Sequence, residues 1–359
     1  MGKLGIIIIL TCCLSVSLIS CNKKEIEPPQ IFKDSLSIKG EILDSNLEYV
    51  GLPSKTILID SFLVIKDNAS ASKREFSIHI INIKQNELIT STCRKGRGPN
   101  EIVHPLTLNR SISNQRSFKV YSRFKYSFFN FNIDSILVDK NYLPKPTITF
   151  KEPYLIPVHL PNHQYMAIGP FENGRYRISD SLGKNHTYKF DYPQDPDHKN
   201  VPKKFKSKVY QGNFCLQSNG NHFAFGALNS GILEFFQATQ DKILKIKNWH
   251  FYYPEYRIKP DPNKISAPLS PDNKFAFPAM SGTENYLYVL YSGRNFRKYK
   301  SRIIYGKDIL VFTWSGKPVL HYSLDKEIWG FSVNDKDQTL YGITNLPEPA
   351  LIKFNLSHK

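Results

Sequence analysis

From Thr56 to Leu356 the chain repeats one pattern: a short run rich in Val, Ile, Phe and Tyr, then a cluster of Gly, Asn, Asp, Ser or Pro. The runs fall into groups. TILIDSFLVIKD (56–67) is followed by FSIHIINI (76–83) and ELITSTCRKG (87–96), and SFKVYSR (117–123) by YSFFNFNI (126–133). YLIPVHL (154–160) precedes QYMAIGPF (164–171), GRYRISDS (174–181) and HTYKFDY (186–192). GNFCLQS (212–218) precedes HFAFGAL (222–228), ILEFFQA (232–238) and ILKIKNWHFY (243–252). NYLYVLYSG (285–293) precedes DILVFTWSGKPVLHYSLD (308–325), and GFSVND (330–335) precedes TLYGITN (339–345) and ALIKFNL (350–356). No long segment places apolar residues at i, i+3, i+4 and i+7, so helices are not the building unit. Short aromatic and β-branched runs between turn residues are strands. Group starts lie about 40–60 residues apart, the range of propeller blades with loop insertions.

The prediction is an all-β fold: a six-bladed β-propeller of four-stranded blades. The sixth group shows three strands and the chain then stops, while LSIKGEIL (36–43) belongs to no group. That N-terminal strand is predicted to complete the last blade and close the ring, leaving no open edge. A pair of β-sandwiches also uses short strands, but explains neither the quartets nor the orphan. Residues 195–208 and 256–275 fit the pattern poorly and read as loop insertions.

The N-terminus reads MGKLGIIIILTCCLSVSLISC. Lys3 precedes an apolar run, Leu4 to Val16, shorter than the ~20 residues a membrane-spanning helix needs. LISC, ending on Cys21, resembles the lipobox of bacterial lipoproteins. The resemblance implies cleavage before Cys21, a diacylglyceryl group on its sulfur and an acyl group on its new amine. Residues 1–20 are then a signal peptide, 21–34 a lipidated tether expected to be flexible or extended, and 35–359 the propeller. Asn22 is not the aspartate associated with inner-membrane retention, so the expectation is an outer-membrane lipoprotein of the cell envelope, with periplasmic and surface display both open.

The chain formally carries +17. Lys203, Lys204, Lys206 and Lys208 form one basic cluster; Arg294, Arg297, Lys298, Lys300 and Arg302 form another. No recognition helix or RNA-binding motif accompanies this charge, so nucleic acid is not an expected partner. Anionic glycans, lipid headgroups, peptides or proteins fit better, alongside the plain reading of solvated loops. Once Cys12 and Cys13 leave with the signal peptide and Cys21 is lipidated, only Cys93 and Cys215 remain, expected as buried thiols.

STCRKGRGPNEI (91–102) is glycine-rich and basic, as a phosphate cradle is. A P-loop, however, places its lysine after the glycines and runs into a helix. Here Lys95 precedes Gly96 and Gly98, and Pro99 removes a backbone donor. No nucleotide, metal or other cofactor is therefore expected. The loop, with Glu101 and Ile102, resembles the inter-blade connection of NHL-type and TolB-like propellers. Together with FFNFNIDSIL (128–137), YLYVLYSG (286–293), ILVFTWSGKPVLHYSLD (309–325) and TLYGITNLPEPALIKFNL (339–356), it is similar to TolB-like six-bladed propeller lipoproteins of Bacteroidota. Gly96, Gly98, Pro99 and Glu101 are then structural turn residues, the glycines supplying φ values closed to other residues. Glu101 accepts backbone amides or pairs with Arg97. Arg94, Lys95 and Arg97 are candidate contacts for an anionic partner.

Other motifs yield less. His159 and His163 have helical metal-ligand spacing, but Pro161 and a strand surround them. DPDH (195–198) lacks the ligand count of a calcium loop and reads as a solvated insertion. Trp249, Trp314 and Trp329 read as core before sugar platform. No GxSxG or HExxH motif occurs. The expected role is a non-catalytic, lipid-anchored binding module for a peptide, protein or glycan, held in the central channel or on one loop face. Two other roles stay open: a glycan-active hydrolase or lyase using channel residues, and a structural subunit of an outer-membrane complex.

Overall fold

A computed structural model describes residues 26–44, 47–70, 72–98, 101–103, 105–112, 116–139, 141–259 and 265–357. The signal peptide, the lipobox and Cys21 lie outside the described residues, as do Pro99 and Asn100.

Two N-terminal strands come first, β1 (Ser35–Ile38) and β2 (Gly40–Asp44). The first blade is β3 (Pro53–Ile59), β4 (Phe62–Asp67), β5 (Phe76–Asn82) and β6 (Glu87–Arg94). The second is β7 (Pro105–Arg110), β8 (Ser117–Ser122), β9 (Ser127–Asn132) and, after the short helix α1 (Ile133–Val138), β10 (Pro146–Thr149). The third is β11 (Ile156–His159), β12 (Tyr165–Ile168), β13 (Tyr176–Ser179) and β14 (His186–Lys189). Helix α2 (Lys203–Val209) leads into the fourth, β15 (Gly212–Leu216), β16 (His222–Ala227), β17 (Ile232–Ala238) and β18 (Ile243–His250). A two-stranded ribbon, β19 (Lys274–Phe275) with β22 (Arg294–Asn295), flanks the fifth blade. That blade is β20 (Ala279–Gly282), β21 (Tyr286–Tyr291), β23 (Gly306–Thr313) and β24 (Pro318–Ile328), with helix α3 (Phe296–Tyr299) between β22 and β23. The sixth is β25 (Gly330–Val333), β26 (Thr339–Thr344) and β27 (Ala350–Asn355), completed by β2.

The fold is thus an all-β six-bladed propeller with four-stranded blades, closed by an N-terminal strand. Several details differ from the sequence reading, among them β20, which no predicted run covers. The run 56–67 is two strands, because Asp60 and Ser61 make a tight hairpin with Asp60 at φ 52°. The second group has two further strands, β7 and β10, whose polar residues hid them. The orphan run divides at Lys39: β1 adds a fifth, parallel strand to β24, and β2 pairs antiparallel with β27. The N-terminal segment therefore fastens two blades.

Strand residues alternate between faces, and each blade face meets a neighbour, so both sets are apolar. In β21, Tyr288 and Leu290 point toward the sixth blade while Leu287, Val289 and Tyr291 point toward the fourth. Six apolar clusters result, one in each seam between blades. The seam between blades two and three is nearly all aromatic: Tyr121, Phe128, Phe150, Tyr154 and Tyr165.

The expected tether is not loose where it is described. Residues Pro28–Ile31 form one 3-10 turn. Glu27 pairs with Lys274 at 2.5 Å and accepts from the Tyr291 hydroxyl. Phe32 packs edge-on against Phe312.

Candidate functional site

The inner strands β3, β7, β11, β15, β20 and β25 surround the central channel, which is nearly filled. Lys55 Nζ reaches across it, donating to Asn109 Oδ1 at 3.0 Å and to the Phe214 carbonyl at 3.5 Å. Thr56 and Ser332 hydroxyls meet at 2.9 Å. The remaining void is about 50 Å³, against several hundred for an ordinary ligand pocket. At one mouth a polar hollow of about 510 Å³ opens among Asp60, Arg110, His163, Asn219 and Asp335. There Arg110 is already spent on Asp335 at 2.8 Å.

A wider concavity than either of these lies elsewhere, a groove of about 950 Å³ beside the connection from β18 to the fifth blade. The segment WHFYYPEY (249–256) builds its floor. β18 ends at His250, and Pro254 prevents further sheet pairing of its own amide. Trp249 and Phe251 stack with rings parallel within 6°, 5.8 Å apart, and Trp249 Nε1 donates to the Gly316 carbonyl at 2.8 Å. His250 meets Tyr253 edge-on at 3.9 Å. The Tyr253 hydroxyl donates to the Gln194 carbonyl at 2.5 Å, fixing the wall formed by residues 194–198.

That wall is the DPDH motif. Rather than a solvated insertion, it is a one-turn 3-10 helix, Pro196–His198, whose N-cap Asp195 is 1 % exposed. Asp195 Oδ2 meets His198 Nδ1 at 2.8 Å and Oδ1 accepts the Asp197 amide. His198 Nε2 faces the Tyr256 carbonyl at 3.2 Å while its ring stacks on Tyr256 at 3.9 Å. Both imidazole nitrogens face acceptors within the protein, one on Asp195 and one on the Tyr256 backbone, which fixes the ring in the wall. Asp197, Glu255 and Arg257 are exposed at the lip. Among the described residues no cluster of three metal-ligating side chains exists.

Behind the groove, in the seam of blades three and four, Arg175 and Glu234 form a buried pair at 2.7 Å, each 1 % exposed. The rings of Tyr176, Tyr192, Tyr210 and Phe225 surround the guanidinium, the nearest centroid at 5.0 Å. Lys245 and the Tyr176 hydroxyl also engage Glu234. Burial works to raise the Glu234 carboxyl, but Arg175 and Lys245 outweigh it and hold it below its ordinary range. This pair was not singled out from sequence, and of the aromatic floor only Trp249 was, read as core before sugar platform. The available signals were a glutamate interrupting the apolar run ILEFFQA and the aromatic density of WHFYYPEY.

The sequence-predicted residues sit apart from the groove, in the connection from β6 to β7. The Gly98 amide donates to Glu101 Oε2 at 2.9 Å, and the Ile102 amide to the Arg94 carbonyl. Neither Gly96 nor Gly98 lies in the left-handed region. The requirement is space: a Cβ on Gly96 would fall 1.8 Å from Glu101 Oε2. The strained residue is Cys93, at φ 63°. The arginine near Glu101 is Arg94, at 3.8 Å, not Arg97; Arg94 also meets Glu75 at 3.0 Å. Lys95 Nζ is buried, and Arg97 is exposed. Cys93 and Cys215 are both buried thiols, in blades one and four. His159 is half-buried against Lys119 Nζ at 2.7 Å, its ring 6.0 Å from that of His163. Trp314 and Trp329 are buried, whereas Trp249 lines the groove.

A family model described as TolB-like 6-blade propeller-like matches residues 31–336. No curated protein sequence matches the chain. Among solved structures, a member of the DUF4221 family from Bacteroides vulgatus aligns with TM-score 0.53 at 11% identity, over 89% of this chain and 96% of its own. A Bacteroides fragilis protein inferred to be exported aligns with TM-score 0.52 at 11% identity, over 90% and 99%. At such identities the likeness is one of fold. No helix among the described residues is long and apolar enough to cross a membrane.

Proposed function

Because the chain belongs to the TolB-like six-bladed propeller family, we propose that it is a lipid-anchored, non-catalytic binding module of the cell envelope. Cys21 carries the lipid, and a glycan occupies the groove floored by residues 249–256. The groove carries this reading. Its volume suits a ligand of several sugar units. The rings of Trp249, Phe251 and Tyr253 contribute to its lining, and its lip offers Asp197, Glu255 and Arg257 for hydroxyl groups. Amphipathic rings beside polar groups suit a ligand that is apolar on its faces and polar on its edges.

A hydrolase or lyase working in the channel finds no room in a 50 Å³ void. In the groove, Asp195 and His198 are tied to one another and to the backbone. The lipobox, with Asn22 rather than an aspartate after Cys21, supports an outer-membrane placement.

Trp249 is the tryptophan that lines the groove, so glycan titration read by intrinsic fluorescence tests the proposal on the full chain. The expected result is a saturable spectral change, weakened at least about tenfold by Tyr253→Ala with Arg257→Ala, both outside the buried core. Glycan binding indifferent to these substitutions, or turnover of the glycan, overturns it.

A further inference from the structure

We infer that the face carrying the blade-to-blade connections lies against an anionic phospholipid leaflet, with α3 and its flanking turns as the contact element. This rests on the Cys21 anchor proposed above. Connections from each outer strand to the next inner strand open on the face where the inner strands begin, as do the loops joining second to third strands. Both basic clusters of the sequence fall on this face. One is α2, with Lys203, Lys204 and Lys208 beside a buried Lys206 and with Lys199 on its approach; the other is residues 292–305, with five basic side chains and no acidic one. Arg94 and Arg97 are exposed on it too, while the Lys95 amine is buried. The opposite face carries hairpin tips of mixed sign, with Asp60, Glu284, Asp335 and Asp337 set against Lys84, Lys184 and Lys336.

Within 292–305 the charges are arranged. Glu327 holds Arg294 and Arg302, and Asp272 holds Arg297. Lys298 and Lys300 have no carboxylate partner among the described residues. They lie against the rings of Tyr299 and Phe296, at 5.2 and 5.4 Å. Phe296 is 51% exposed. Cations around an outward aromatic ring match a headgroup–acyl boundary.

The anchor exit lies in the same place. Glu27 pairs with Lys274, Lys274 is in register with Asn295, and the Asn295 side chain caps α3 at the Lys298 amide. Ile26 lines the groove beside Pro271, whose carbonyl accepts the Arg297 amide. From Cys21 to Ile26 are five residue steps, at most about 18 Å when fully extended. A lipid on Cys21 thus confines this face, and with it the groove, to the vicinity of the membrane.

The test is amine labelling of the full chain bound to vesicles of phosphatidylglycerol and phosphatidylethanolamine, read by mass spectrometry. Lys298, Lys300, Lys203 and Lys204 are expected to lose reactivity several-fold relative to the protein in solution, while Lys84, Lys184 and Lys336 keep theirs. Lys298→Glu with Lys300→Glu in a Cys21→Ser background, its fold checked by circular dichroism, is expected to weaken vesicle binding at least about tenfold at low salt. Equal reactivity on both faces overturns the inference. The mass of the N-terminal peptide separates the two readings: acylated Cys21 with both faces equally labelled sinks the surface and leaves the anchor. Unmodified Cys21 with one protected face sinks the anchor and leaves the surface.

Discussion

Glu234 and Asp67 show how single carboxylates carry stability here. Glu234→Gln leaves Arg175 in an aromatic enclosure with no counter-charge. The expected loss is about 3 kcal/mol of unfolding free energy, measured by urea denaturation at pH 7. Asp67 is enclosed as well. Burial works to raise its carboxyl, but His79 and the amides of Gly51, Leu52 and Ala69 overrule it and hold it well below the carboxylate range. A carboxylate with a depressed folded pKa stabilises fully above its unfolded value near 4, and that contribution fades as pH falls. Stability should therefore decline steadily from pH 5 to pH 3, with Asp67→Asn showing a flatter decline. Lys119 acts in the other direction. Burial pushes its amine down to about 8. Between pH 8 and 10 the unfolded chain binds more protons there, so stability should rise across that interval, and less so in Lys119→Met.

At the scale of elements, the closing strand and the first inter-blade loop depend on small residues. The Gly40 amide donates to Asp325 Oδ1 at 2.8 Å, where the chain crosses from blade five to blade six. A Cβ there would lie 2.5 Å from Ile352 and 2.6 Å from Phe354. Gly40→Val should cost about 1–3 kcal/mol through overpacking, seen as a lowered urea midpoint. Gly96→Ala must push Glu101 off the Gly98 amide, at a cost of about 1 kcal/mol; Gly96→Ala combined with Glu101→Ala should cost less than the two changes summed. The strands themselves were legible because both faces of each blade are buried, which writes apolar runs such as YLYVLY. β7 and β10 were not, since Thr107, Asn109 and Thr147 place polar groups on channel and rim. The groove was illegible for a different reason. It joins residues 195–198 to 249–257 and 270–271 through insertions that carry no repeat, and only the third dimension stacks Tyr256 on His198.

The whole molecule is a ring whose six seams each have their own apolar core. No single centre dominates, so cooperativity depends on closure. The amides of β2 are expected to exchange hydrogen at the same slow rate as those of β26 and β27 in native-state experiments. Earlier exchange of β2 would show that the ring opens at its fastening first. The location of the groove on this ring was not legible from composition. What composition did carry was net charge, and the topology sorts that charge onto one face.

β1 and β2 find their partners in β24 and β27, the first strands of the domain pairing with nearly the last. In a chain made from its N-terminus, β1 has nothing to pair with until β24 has been synthesised, and β2 nothing until β27. Five blades' worth of hairpins can assemble in order behind them, each from local contacts. The N-terminal pair has to remain unpaired throughout, with its hydrogen-bonding edges exposed. The alternation of Ser35, Ser37, Lys39 and Glu41 with Leu36, Ile38 and Ile42 suits that wait, because half of each strand is at ease in water. The segment that fastens the ring is thus made first and used last, so any truncation near the C-terminus strands a seam at the opposite end of the sequence.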